Sequence, residues 1–132
     1  MTAKELDQIY YLNRELKMWH EELDKIKCQS LINSPQWDSV PSVGGNSDKT
    51  SNIVFDILRI EDTIKGIEAE IILQKAKIVT YIANIDDSLM RQIMYWRHIS
   101  CKSWVAVAMN VGGNNTADSV RMAHNRFLQK NF

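Results

Sequence analysis

The sequence predicts an all-α protein, and two features of its apolar pattern carry this prediction. Apolar residues recur at alternating spacings of three and four along two long stretches, as in helices that pack lengthwise against each other. Three shorter apolar segments follow, separated by residues that start and stop helices. We therefore expect a long antiparallel, coiled-coil-like helical hairpin over residues 1–85 and a tri-helical helix-turn-helix domain over residues 86–132.

The first long helix is predicted over about residues 3–30. Charged residues fill the positions between its apolar residues, and neither proline nor glycine interrupts it. Residues 31–47 form the predicted connecting loop, where two prolines and the pair Gly44-Gly45 stop helices. Trp37 in this loop is interpreted as an anchor that packs back onto the protein, the alternative being a contact with a partner. The apolar seam of the first helix consists of Ile9, Leu12, Leu16, Trp19, Leu23 and Ile26.

The second long helix is predicted over about residues 48–85, with a capping signal at Ser47-Asp48. Since neither helix can bury its stripe alone, the two are expected to pair. Additional apolar residues near the end of the second helix predict a further covered surface, against a second copy or the C-terminal domain. The seam is Ile53, Ile57, Ile60, Ile64, Ile67, Ile71, Gln74, Ile78, Tyr81 and Ile85, and the additional residues are Ile72, Leu73, Val79 and Ile82.

The C-terminal domain is predicted from its helix caps and one glycine turn. Three short helices with such a turn before the last match the helix-turn-helix pattern, and Ala108 provides the small residue where the last two helices cross. The predicted elements are a helix from Leu89 to about His98 after the cap Asp86-Asp87-Ser88, a helix Trp104–Asn110 capped by Ser103, a turn at Gly112-Gly113-Asn114, and a helix to about Lys130 capped by Asn115 or Thr116.

The last helix has one apolar face and one polar face. The apolar face includes His124, interpreted as a core or edge histidine rather than a ligand, while Asp118 on the polar face is unfavourable beside phosphates. Arginine pairs well with guanine or phosphate, and asparagine with adenine, so the polar face suits a DNA groove; the alternative is a solvated surface. The predicted DNA-binding residues are Lys102, Asn115, Arg121, Asn125, Arg126 and Lys130.

Composition narrows the function classes. The formal net charge is zero, but residues 86–132 carry six basic and three acidic side chains, which is compatible with an anionic partner. No stretch predicts a membrane span or a signal peptide, so a cytoplasmic protein with no membrane partner is expected. Cys28 and Cys101 are expected to be reduced, and His98 with Cys101 lacks the second ligand pair of a structural zinc site. No catalytic motif is found, and no enzymatic activity, cofactor or metal is predicted.

Two segments carry a resemblance to known families. Tyr95–Ala108 resembles sigma factor region 4, and Val120–Leu128 resembles its recognition helix. Together with the segment Gly44–Lys49 and the isoleucine-rich helix, this resembles phage and prophage transcriptional regulators of the RinA/ArpU type. Val105-Ala106 departs from the acidic pair usual in the family, and the turn at residues 112–117 is about two residues longer, which would change the angle of the last helix.

The resemblance implies a phage-encoded DNA-binding regulator that acts with host RNA polymerase at phage promoters. Its expected partners are double-stranded DNA, RNA polymerase and a second copy of the chain, because one small module often buries too little surface on DNA alone. A second hypothesis is an interaction protein whose helix-turn-helix domain binds protein. A third is a packaging component resembling a small terminase subunit.

Overall fold

A computed structural model of the chain describes residues 1–32 and 47–132. These residues form helices joined by turns, with no strand among them, which confirms the all-α class. The predicted connecting loop, including Trp37, lies outside the described residues apart from its ends. The helices are α1 (Ala3–Leu6), α2 (Gln8–Ile32), α3 (Ser47–Ala83), α4 (Ser88–Met94), α5 (Trp104–Val111) and α6 (Ala117–Asn131), and a π-helical turn, Tyr95–Ile99, continues α4.

The first predicted helix is divided in two, so the prediction of one helix from about residue 3 to 30 was wrong at its start. Asp7 separates α1 from α2, with ψ at −5° where a helical residue has about −42°. Thr2 and Glu5 form a capping box at the start of α1, in which each side chain accepts from the other residue's backbone N–H. Beyond Asp7, α2 runs to Ile32, close to the predicted end.

Packing divides the chain into two compact units. Unit 1 comprises Met1–Asn13 and Glu70–Phe132, and unit 2 comprises Arg14–Ala69. The predicted domain boundary lies between residues 85 and 86, whereas packing groups the ends of both long helices with the C-terminal helices. The physical reason is the core of unit 1, which includes Leu6, Ile9 and Ile78 together with residues of α4, α5 and α6.

Unit 2 is held together by the predicted seams of the two long helices. Leu23 of α2 is buried with Ile60 and Ile64 of α3, and half-buried seam residues surround them. Trp19 is one of these, and its Nε1 donates to Glu15 Oε1 at 3.3 Å. An exposed ion pair joins Lys27 Nζ to Glu61 Oε1 at 3.8 Å, but such pairs add little stability. The two seams therefore bury each other in unit 2, while the antiparallel hairpin stays a prediction.

Unit 1 has the larger core. Its fully buried side chains are those of Leu6, Ile9, Ile78, Ile93, Met94, Val107 and Val120. They come from every helix that contributes to the unit, so the ends of α2 and α3 and the C-terminal helices share one apolar interior. Of the additional apolar residues of α3, Ile82 is buried, whereas Ile72, Leu73 and Val79 are exposed.

The C-terminal caps agree with the sequence analysis. The side chain of Asp87 accepts from Leu89 N, that of Ser103 accepts from Ala106 N, and that of Thr116 accepts from Ser119 N. Gly112 and Gly113 have positive φ angles of 75° and 66°, the conformation for which a glycine turn is needed. Thr116 rather than Asn115 therefore caps the last helix.

The predicted helix from Leu89 to about His98 changes its hydrogen-bond pattern at Tyr95. The Ser100 N–H donates to the Tyr95 carbonyl at 3.1 Å, a step of five residues that marks a π-helical turn. Cys101 then adopts a positive φ of 52° and ends the segment. The turn places His98 in the core of the unit, where it is 5% exposed.

Over the residues that the structure describes, no helix is both long enough and apolar enough to cross a membrane.

Candidate nucleic-acid interface

The pair α5 and α6 forms the centre of the candidate interface. Val107 and Ala108 of α5 and Val120 of α6 are buried against each other's helices in the core of unit 1. The glycine turn joins the two helices, and its hydrogen bond from Gly112 N to the Ala108 carbonyl closes α5. With its inner face fixed in this way, α6 presents its opposite face to solvent.

Four of the predicted DNA-binding residues lie on α6 and are exposed: Arg121, Asn125, Arg126 and Lys130. Arg121 Nη2 forms an ion pair with Asp118 Oδ1 at 3.3 Å, one turn earlier on the helix. Because both side chains are largely exposed, this pair is weak and can open when a stronger partner approaches. The structure thus brings these residues to one helix, although Arg121 is held by a carboxylate.

The other two predicted residues lie outside α6. Lys102 is exposed in the segment before α5, and its carbonyl accepts from Arg97 Nη1 at 2.9 Å. Asn115 is half-buried, and its Nδ2 donates to the Gly112 carbonyl at 2.9 Å. The amide of Asn115 therefore stabilises the glycine turn, while the ammonium group of Lys102 is accessible.

Large apolar side chains interrupt this polar surface. Val105 and Met109 on α5 are 62% and 78% exposed, and Met122 on α6 is 47% exposed. Val105 and Met109 are one turn apart on the same helix and share a face. Exposed apolar side chains therefore lie on both helices of the pair.

A buried pair of histidines lies behind the exposed face of α6. His98 Nε2 and His124 Nε2 are 2.8 Å apart, and each side chain is 5% exposed. On the far side of His124, Nδ1 is 3.2 Å from the Asn125 Oδ1. On the far side of His98, Nδ1 is 3.7 Å from Asp7 Oδ1. The contacts therefore run from the start of the chain, through both imidazoles, to a predicted DNA-binding residue.

The surroundings of this pair keep both rings uncharged at neutral pH. Burial, together with the neighbouring His124 and Arg97, lowers the pKa of His98 from 6.5 to about 3. A hydrogen bond with the Leu6 backbone acts in the opposite direction on this pKa. Burial also lowers the pKa of His124, although its contact with Asn125 opposes the shift. Desolvation penalises the charged form and dominates at both sites.

From the sequence, His124 is interpreted as a core or edge histidine, and the structure buries it, but the pairing with His98 is not predicted. The two histidines are 26 residues apart, and each sits singly on an inner helix face, so no spacing marks them as partners. Trp104 completes their surroundings. Its ring centroid is 4.9 Å from that of His124, with the ring planes inclined at 63°, and the Arg97 Cζ lies 4.3 Å from the Trp104 ring centroid. A cleft of about 440 Å³ reaches His98 from the surface and is also lined by Asp7 and Arg97.

Among residues 1–32 and 47–132, no cluster of histidine, cysteine and acidic side chains could hold a metal ion. The candidate site consists of exposed basic residues, most of them on α6, with the buried imidazole pair behind them. These features define a class: a small all-α protein that presents one helix face from a shared apolar core.

The family of this protein follows from comparison with known sequences. The chain belongs to the family described as Protein of unknown function (DUF1492), whose model matches residues 31–124. The matched segment contains the whole of α3, α4 and α5 and the first half of α6. Neither a search of curated proteins nor a search of solved structures returned a match.

Proposed function

We propose that this protein is a phage-encoded, DNA-binding transcriptional regulator that acts with host RNA polymerase at phage promoters. The observation that carries the proposal is the division of α6 into two faces. Val120 and His124 are buried, whereas Arg121, Asn125 and Arg126 are exposed on the same short helix. A helix anchored in this way can enter the major groove of DNA with its polar side chains directed at the bases.

The exposed residues have distinct proposed roles. Asn125 faces the base edges, where an amide can both donate to and accept from adenine. Arg121 and Arg126 reach guanine or the phosphates on either side, and Lys102 contacts the backbone. When Arg121 binds DNA, its ion pair with Asp118 opens, and the Asp118 carboxylate is left near the phosphates. This repulsion lowers the affinity, so we expect moderate binding by one copy.

The test is binding to a pool of random duplex DNA, followed by selection of the bound sequences, at 50 and 200 mM salt. We expect salt-dependent binding that is weakened by Arg121→Ala combined with Arg126→Ala, because each lost phosphate contact reduces the logarithmic salt slope by about 0.9. A matched control removes two exposed positive charges from α2, with Lys17→Ala and Lys25→Ala. Equal binding by the two double variants would contradict a role for α6.

A second candidate function is binding of a protein, with RNA polymerase as the expected partner. The exposed side chains of Val105, Met109 and Met122 favour it, since apolar residues contribute more to a protein interface than to a phosphate contact. Val105→Lys combined with Met109→Lys would abolish capture of purified polymerase and preserve the helical content. Unchanged capture would rule out this surface as the polymerase contact.

We further propose that the chain forms a homodimer through α3. Ile72 and Val79 are 70% and 48% exposed and lie two turns apart on one face, with Leu73 beside them. A second copy of the same face would cover them, and a dimer would double the DNA contact area. Ile72→Lys with Val79→Lys is expected to halve the mass measured by light scattering. A wild-type monomer at 50 µM would refute this proposal.

A further inference from the structure

The contacts of the buried histidine pair limit how many protons the two rings carry and where these protons lie. Three gaps are each best filled by one proton: between His98 Nδ1 and the Asp7 carboxylate, 3.7 Å apart, between the two imidazoles, and between His124 and Asn125. Each neutral imidazole carries a single N–H. Two neutral rings therefore supply two protons for three gaps, and the third proton has to come from elsewhere.

The Asp7 carboxylate determines where the two ring protons lie. A carboxylate only accepts, so the proton of neutral His98 is favoured on Nδ1, which faces it, and His98 Nε2 is then without a proton. His124 consequently donates from Nε2 to His98, which leaves His124 Nδ1 as an acceptor. The opposite order would place an unprotonated Nδ1 3.7 Å from the Asp7 carboxylate, which is unfavourable for a buried ring.

The Asn125 end then has two possible arrangements. In the first, which is the one in the structure, the Asn125 Oδ1 lies 3.2 Å from His124 Nδ1. This contact requires a proton on Nδ1 and hence three protons on the pair. A rotation of 180° about the Cβ–Cγ bond exchanges Oδ1 and Nδ2, and the amide nitrogen then supplies the third proton itself. Each arrangement satisfies every gap, but they correspond to different charges on the imidazole pair.

We propose that the His98–His124 pair positions the Asn125 amide. The amide nitrogen faces His124 when the pair is neutral, and the amide oxygen faces it when the pair carries an additional proton. Asp7 and Arg97 are the charged groups nearest the pair, and they act in opposite directions on the additional proton. Because burial disfavours the charged pair, the amide nitrogen is the inward group at neutral pH.

This assignment has a consequence for recognition, which rests on the proposed DNA-binding function. The outer edge of the Asn125 amide still offers one acceptor and one donor to a base, but the inward contact fixes their order along the helix. Adenine presents its N7 acceptor and N6 donor in a fixed order in the major groove, so only one amide orientation matches it. His124 is thus a positioning residue that determines specificity without touching DNA.

The experiment uses the full chain and needs no DNA. Nitrogen-15 spectra of the imidazoles at pH 7 report which ring nitrogen carries the proton. In the wild type we expect the Nδ1–H form of His98 and the Nε2–H form of His124. In Asn125→Asp the carboxylate can only accept, so His124 is expected to change to its Nδ1–H form. The pair should then take up its additional proton at a pH higher by about one unit or more.

The control is Gln129→Glu, which adds the same charge one turn along α6 at an exposed position. It should leave the wild-type protonation of His124 unchanged. Asn125 is itself exposed, so its substitution does not threaten the core, and circular dichroism verifies the fold. The proposal is overturned if His124 is in its Nδ1–H form in the neutral wild type, or if Asn125→Asp behaves as Gln129→Glu does. Absence of DNA binding would overturn the proposed function only, because the spectra do not depend on it.

Discussion

Replacing Ile93 tests whether unit 1 has the shared core described above. Ile93 lies in α4, is 0% exposed, and belongs to the apolar cluster that joins the ends of α2 and α3 to the C-terminal helices. Ile93→Ala removes three buried carbon atoms, which at about 0.8 kcal/mol each is about 2.4 kcal/mol of lost transfer free energy. The cavity left behind adds to this, so we expect the free energy of unfolding to fall by about 3–4 kcal/mol.

The assay is urea unfolding followed by circular dichroism at 222 nm. Ile93→Val should cost about 0.5–1.5 kcal/mol, because it removes one methylene group. The control is Val105→Ala in α5, which removes apolar atoms from a side chain that is 62% exposed and should change stability by less than about 0.5 kcal/mol. If Ile93→Ala cost no more than Val105→Ala, the shared core would be refuted.

Three further predictions concern the backbone, pH and thiol reactivity. Gly112→Ala should destabilise the protein by about 1 kcal/mol or more in urea unfolding, because φ at Gly112 is +75°. Gly66→Ala should instead stabilise it by up to about 1 kcal/mol, because Gly66 lies inside α3 with open space around it. The pKa of His98 is about 3 in the folded protein and near 6.5 in the unfolded chain. Its contribution to stability is therefore present above pH 6.5 and is lost as the pH falls toward 3. Thermal unfolding should show a loss of up to about 1.4 kcal/mol per pH unit from this group. A coloured thiol reagent should modify exposed Cys28 rapidly and Cys101 slowly, since burial raises the pKa of the Cys101 thiol; equal rates would contradict the described burial.

The two long helices could be predicted because burial imposes a strict periodicity on them. The predicted seam residues of the second helix, from Ile53 to Ile85, are all buried or half-buried, although α3 itself ends at Ala83. The caps at Asp87, Ser103 and Thr116 were equally predictable, because a short polar side chain before an apolar run satisfies a local need of the helix start. In both cases the cause lies within a few residues of its effect.

Other features depend on distant parts of the chain or on single backbone torsions. The break at Asp7 and the π-helical turn at Tyr95–Ile99 barely change the apolar spacing, so periodicity does not reveal them. The pairing of His98 with His124 depends on how two helices meet and has no local signature. Asn115 is predicted to bind DNA from its residue type, yet its Nδ2 donates to the Gly112 carbonyl within the glycine turn. The helix-turn-helix and hairpin assignments, and DNA binding itself, stay predictions.

The discontinuity of unit 1 bears on how the chain is made. The core partners Val107 and Val120 leave the ribosome about a hundred residues after Leu6 and Ile9. The intervening segment Arg14–Ala69 has its own small apolar cluster and can begin to pair first. Until α6 emerges, Leu6 and Ile9 lack part of their core and are open to wrong associations. The core of unit 1 is therefore completed only after α6 has been synthesised.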